Sequence, residues 1–192
     1  MRVWRLVVVD LSGVAIDDGR VLRSDDSGVG ARTAVHAAAL ATAIAGGRVR
    51  ATPGAHRAFA ALRARGLRVC LATETAPVLA NLAVAALGLR SAVDLVVAPG
   101  PGVRAFPHPD LVLAAAERLG VARLKDVVVV GGGPHCLAAG RRAGAGALVG
   151  VAASAEDRFR LAAAPHTHLV AGIGDVPGLV PVPETRRLRI VS

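Results

Sequence analysis

The chain has 192 residues, 53% hydrophobic and only 2% aromatic, a size and composition that point to one domain with a small insertion and a core packed mainly from alanine and valine. No apolar run reaches the ~18 residues of a membrane span, the opening MRVWRLVVVD lacks the layout of a secretory signal, and two cysteines make no disulfide framework, which together lead us to expect a reducing cytoplasm and no membrane partner. The net charge of +9 is carried almost entirely by arginine, Lys125 being the only lysine; it favours anionic partners, but the arginines are scattered and read mainly as a solvated face, and the scarcity of aromatics argues against nucleic acid.

In chain order, the first predicted element is a strand over residues 3–9, which delivers Asp10, Ser12 and Gly13 to its C-terminal end. Residues 19–52 then interrupt the pattern. Their first part lies within the polar, glycine-containing DDGRVLRSDDSGVGAR, and TAVHAAALATAIAGG reads as one helix, so the segment is expected to be a reduced cap inserted over the sheet edge. A helix is expected over residues 56–65, followed by a second strand, LRVCLAT, ending at Thr73. Another helix over 77–87 leads to a third strand, VDLVVA, and the loop from Arg104 to Asp110.

A helix over 110–119 precedes the fourth strand, Val127 to Val130, which runs straight into Gly131, Gly132 and Gly133. Helices over 137–143 and 155–163 alternate with strands at ALVGV and His168 to Val170. Strands alternating with helices imply an α/β fold, a three-layer Rossmann-like sandwich around a parallel sheet, with ligands bound beyond the C-terminal strand ends. The expected division is a core of residues 1–18 and 53–182, a cap of 19–52 and a flexible tail of 183–192.

The residues at those strand ends carry a resemblance. VVVDLSGVAIDDG, LATET, RAFPHPDLVLAAAERLGV and DVVVVGGGPHCLAAGRRAGAGALVGV resemble, in order, the four motifs of the haloacid dehalogenase (HAD)-like hydrolases. GGRVRATPGAHRAFAALRARGLRVCLAT and AAPHTHLVAGIGDVPGL further resemble the phosphonatase-like branch. The family chemistry is phosphoryl transfer through an aspartyl-phosphate, for which a carboxylate nucleophile is suited. The resemblance places Asp10 at the nucleophile position, and Thr73 where a hydroxyl donates to phosphate.

The other positions depart from the pattern. Ser12 stands where the family has a second Asp as general acid and base, a loss that typically costs ~10²–10⁴ in rate. Its backbone carbonyl can still face a metal. Phe106 stands in place of the motif-three lysine, leaving Arg104 as the nearest substitute cation. Gly132 stands where the first Mg²⁺-binding acid is expected, and Cys136 near a later one, so Asp10 and the Ser12 carbonyl would make a weak metal site. Mg²⁺ is implied if the protein turns over substrate, and no cofactor if it does not. A zinc site from His108, His135, Cys136 and Asp10 would suit the ligand types, but the spacing carries no zinc signature. Phosphonatase chemistry itself needs a cap lysine, and residues 19–52 have none.

The expected protein is thus a HAD-like homologue with a degenerate site. It would bind a small phosphorylated or anionic ligand through Thr73 and the Gly131, Gly132 and Gly133 amides, or a protein partner at the open cap side. The alternative is an active phosphoester hydrolase working through Asp10 with an altered metal site.

Overall fold

A computed structural model describes residues 4–17 and 31–181. The tail of 183–192 and most of the polar first half of the insertion lie outside those residues. The chain runs β1 (Leu6–Asp10), β2 (Ile16–Asp17), α1 (Ala31–Ala45), β3 (Arg50–Ala51), α2 (Ala55–Ala64), β4 (Arg68–Ala72), α3 (Pro77–Ala86), β5 (Leu95–Val97), α4 (Asp110–Arg118), β6 (Val127–Gly131), α5 (Pro134–Ala143), β7 (Ala147–Val151), α6 (Ala155–Ala162) and β8 (His168–Val170), with a 3₁₀ segment over Ile173–Leu179.

Six strands form one sheet in the order β5-β4-β1-β6-β7-β8, every neighbouring pair parallel. The continuous apolar runs follow from this position: a central parallel strand is covered on both faces, so both sets of alternating side chains must be apolar. Val7 and Val9 of β1 join Val69, Leu71, Val128 and Val130 on one face, against Leu40 of α1, Phe59 and Leu62 of α2, Leu79 and Val84 of α3, and Ile173. Leu6 and Val8 join Cys70, Ala72, Val127 and Val129 on the other, against Leu111 and Val112 of α4, Leu137 of α5 and Leu161 of α6. The expected three-layer α/β sandwich is the observed architecture.

Two local features were not foreseen. The insertion is entered and left through a two-stranded antiparallel ribbon in which Ile16 pairs with Ala51 and Asp17 with Arg50, an element too short to leave a periodic signature. Arg50 also bonds the Asp17 carboxylate through Nη2 at 3.0 Å. The second is the start of α5, expected at Leu137 but found at Pro134. Proline is suited to the first helical position, where no backbone N–H is required.

With few aromatic side chains, the layers close by approach of the backbone itself. At Gly140 of α5, an added Cβ would lie 2.7 Å from Leu148 Cδ2 and 2.9 Å from Val129 Cβ. Gly140→Ala is therefore expected to destabilise the fold by about 1–3 kcal/mol through overpacking. Gly178→Ala, which meets open space, should stay within about 0.5 kcal/mol. Urea denaturation of the two variants checks the contrast.

Candidate functional site

The register of three strands builds the site. Asp10 pairs with Ala72 of β4, and Val9 pairs with Val130 of β6. Thr73 and Gly131 are each one residue beyond those partners, so the loops after β1, β4 and β6 leave the sheet side by side. The structure thereby brings Asp10, Ser12, Thr73 and the Gly131–Gly133 loop to one edge, the C-terminal edge where open α/β sheets bind ligands.

The loop after β1 is a compact turn. The Gly13 N–H donates to the Ile16 carbonyl at 2.8 Å, and the Ile16 N–H to the Leu11 carbonyl at 2.9 Å. Gly13 holds φ +76°, which glycine tolerates without a Cβ penalty. Asp10 and Ser12 are both half-buried. Across the strand boundary Thr73 is buried, and its Oγ1 accepts the Thr75 N–H at 3.0 Å. The hydroxyl therefore already closes the turn that starts the next loop, while Glu74 beside it is exposed.

The fourth strand end is closely packed. An added Cβ at Gly132 would lie 3.2 Å from the Gly13 carbonyl oxygen and 3.2 Å from Val14 Cγ2. A side chain at Gly132 would thus begin in tight contact with the first loop, which would have to give way slightly to admit it. Cys136 is buried, and its thiol lies 3.9 Å from the Val130 carbonyl oxygen as a long donor contact. Burial pushes this thiol well up, and the negative charges of Asp10 and Glu74 push it further. It is held neutral, and a neutral thiol is a poor partner for a hard cation.

Phe106 is also buried, packed with Val97, Leu111 and Cys136 in the core on the α4–α5 face. Phe106, expected from the resemblance at the motif-three position, is therefore part of the apolar floor. Arg104 does not replace that cation in this structure. Its Nε and Nη2 bond the two carboxylate oxygens of Asp110 at 2.8 and 3.0 Å, in an ion pair whose arginine is 64% exposed. Asp110 starts α4, where its charge favours the helix N-terminus, and it also accepts the Arg104 backbone N–H. Lys125 is exposed just before β6, at the opposite edge of the sheet.

These residues do not fit Mg²⁺. Among the described residues no group of three His, Cys, Asp or Glu side chains is placed to hold a metal. Position 132 is glycine and offers no carboxylate beside Asp10, and the thiol at Cys136 is neutral. The same finding removes the zinc arrangement: His108 and His135 are exposed and do not gather with Cys136 and Asp10. His166 and His168 bond the Ala164 carbonyl and the Thr167 hydroxyl, each at 2.9 Å, as structural surface residues.

One residue at this edge carries no motif signature. Arg160 of α6 reaches back to the Gly132 carbonyl oxygen, with Nη2 at 3.3 Å. Nothing in the sequence marks it, because α6 follows β7, outside the four motifs. An open cleft of about 250 Å³ also runs along β5, lined by Pro77, Asn81, Val96, Gly100 and Arg118 among others. It shares no residue with the Asp10 edge. No described helix is long and apolar enough to cross a membrane.

Comparison with known proteins agrees with this architecture. A family model for haloacid dehalogenase-like hydrolases matches residues 20–144, a span that includes the Gly131–Cys136 loop and begins after Asp10. Among solved structures, a hydrolase from Pseudomonas syringae is 22% identical with a TM-score of 0.70, covering 91% of this chain and 97% of that one. The L-2-haloacid dehalogenase of Xanthobacter autotrophicus is 19% identical, TM-score 0.69, covering 92% and 98%. A HAD family hydrolase from Deinococcus radiodurans, solved with bound phosphate and sodium, is 20% identical, TM-score 0.67, covering 92% and 97%. A search of the curated proteins found no match.

The Arg104–Asp110 pair yields a pH test. Hydrogen bonds from the Arg104 side chain, then from its backbone N–H, hold the Asp110 carboxyl down to about 2. A carboxyl lowered from its ordinary ~3.9 contributes stability that is complete above that value and lost as pH falls through the folded one. Asp110→Asn is thus expected to melt below the wild type at neutral pH. The gap should close between about pH 4 and pH 2, followed by thermal melts across that range.

Proposed function

The chain belongs to the haloacid dehalogenase-like hydrolases, and from that premise we propose that it is a catalytically impaired member that binds a small phosphorylated or inorganic anion at the Asp10–Gly131 edge. The observation that carries this reading is the closure at Gly132, whose missing side chain would begin 3.2 Å from the Gly13 carbonyl and Val14. Two further features support it. Phe106 lies in the core where the family has a cation, and Ser12 replaces the second Asp.

Each change removes a different part of aspartyl-phosphate chemistry. A serine hydroxyl does not protonate a leaving group near neutral pH, and losing that group alone typically costs about 10²–10⁴ in rate. Without the motif-three lysine, the repulsion between an anionic nucleophile and an anionic phosphoryl group loses the cation that offsets it in the family. These losses act on one transition state and need not add. What the edge retains is hydrogen-bond donors: the amides of a glycine loop leading into α5 favour an anion without any side chain. Pro134 has no N–H, so those donors come from the residues flanking it.

Within the family we place the chain nearest the phosphonatase-like branch, on the sequence of residues 46–73 and 163–179. The branch reaction is not part of the proposal, since the one lysine of the chain lies at the opposite sheet edge. We also propose a cytoplasmic setting, for which the two free, buried cysteines are the support.

A panel of phosphate esters assayed with Mg²⁺, Mn²⁺, Co²⁺ and Zn²⁺ is expected to give no turnover above buffer. Metal-dependent turnover that disappears in Asp10→Asn would overturn the impaired reading. It would establish instead an active phosphoester hydrolase working through Asp10.

A further inference from the structure

We infer that Arg160 supplies the fixed positive charge of this site, so that the Gly131–Gly133 loop takes a phosphate-type anion without a divalent cation. This rests on the anion-binding reading above and goes beyond it by naming the counter-charge and excluding the metal.

The guanidinium is built into place. The Ser154 hydroxyl caps α6, accepting the Asp157 N–H at 3.1 Å and donating to Asp157 Oδ2 at 2.8 Å. The other carboxylate oxygen, Oδ1, receives Arg160 Nη2 at 2.6 Å. The same nitrogen lies 3.3 Å from the Gly132 carbonyl oxygen. Cap, carboxylate and guanidinium therefore form one chain of contacts that ends on the loop, and the loop is where the family's metal acid is replaced by glycine.

The arginine is not fully satisfied. Its Nε is buried with no hydrogen-bond partner, although the side chain as a whole is 38% exposed. A buried charged donor without an acceptor is unfavourable; a small turn of this partly exposed side chain toward an anionic oxygen would give the guanidinium a charge-assisted partner. Among the described residues, Arg104 turns to Asp110 and Arg142 of α5 to the Pro107 carbonyl at 2.6 Å, both away from the glycine loop. Arg160, though itself paired with Asp157, is the described arginine whose side chain bonds a carbonyl of that loop. A guanidinium also offers a planar fork to phosphate oxygens, which an ammonium does not.

The test is calorimetric titration of the full chain with inorganic phosphate, once in EDTA and once in Mg²⁺. Backbone amide shifts of Gly131–Gly133 are followed in parallel. The wild type is expected to bind equally in both buffers. Arg160→Gln should weaken binding by about tenfold to a hundredfold, the worth of a charge-assisted hydrogen bond, and Arg160→Lys should recover only part of it. Arg158→Gln, an exposed change on the same helix, should bind as the wild type.

Thermal melts establish that each variant is folded, and the EDTA comparison needs only the wild-type protein. Binding that tightens about tenfold or more with Mg²⁺, or an Arg160→Gln variant that binds like the wild type, would overturn this inference while leaving the anion site standing. Absence of both heat and amide shifts in either buffer would overturn the anion-binding reading, and this inference with it.

Discussion

Parallel pairing of β1 between β4 and β6 is the constraint on which everything else rests. With Val9 held opposite Val130 and Asp10 opposite Ala72, three loops must leave the sheet at the same level. The packing at that edge follows. The turn after β1 is tight enough to bring its Gly13 carbonyl and Val14 against Gly132, and Cys136 and Phe106 lie in the core on the α4–α5 face of the sheet. A side chain at any one of these positions is accommodated only as the other two loops allow.

The charge of the protein is understood in the same way. Several of the arginines make local ties at the surface. Arg63 and Arg68 flank Asp94, Arg5 and Arg123 flank Asp126, and Arg50 holds Asp17 across the ribbon. Exposed pairs of this kind are worth little individually. Around the Asp10 edge the ties have a different character. Arg142 and Arg160 donate to loop carbonyls, and Arg104 pairs with the acid that starts α4. These arginines tie the loops at that edge to the flanking helices.

Much of the fold was legible before the structure. The six sheet strands lie where the apolar runs place them, since a buried parallel strand has to be apolar on both faces. Helix positions followed from period and from the intervening lengths, with the start of α5 misplaced because Pro134 was read as a loop residue. The ribbon of Ile16–Asp17 and Arg50–Ala51 was invisible, being two residues on each side. At the site, Asp10, Ser12, Thr73 and the glycines were located from motif order alone. Their partners were not. The Thr73 hydroxyl closes a turn, and the Arg104 side chain turns to Asp110. Both contacts are local, but a sequence does not say which of several nearby acceptors a flexible side chain takes.

The sequence by itself determined the fold class and the family, because hydrophobic period and motif order are properties of the chain read in one direction. It also determined which residue types stand at Ser12, Phe106 and Gly132. Only the tertiary structure decided what surrounds them: the first loop against Gly132, the core around Phe106, and Arg160 beside the glycines. Those outcomes depend on volumes and distances between segments far apart along the chain. No local pattern encodes such a distance, and so α6, silent in the motif reading, contributes a guanidinium that touches the loop.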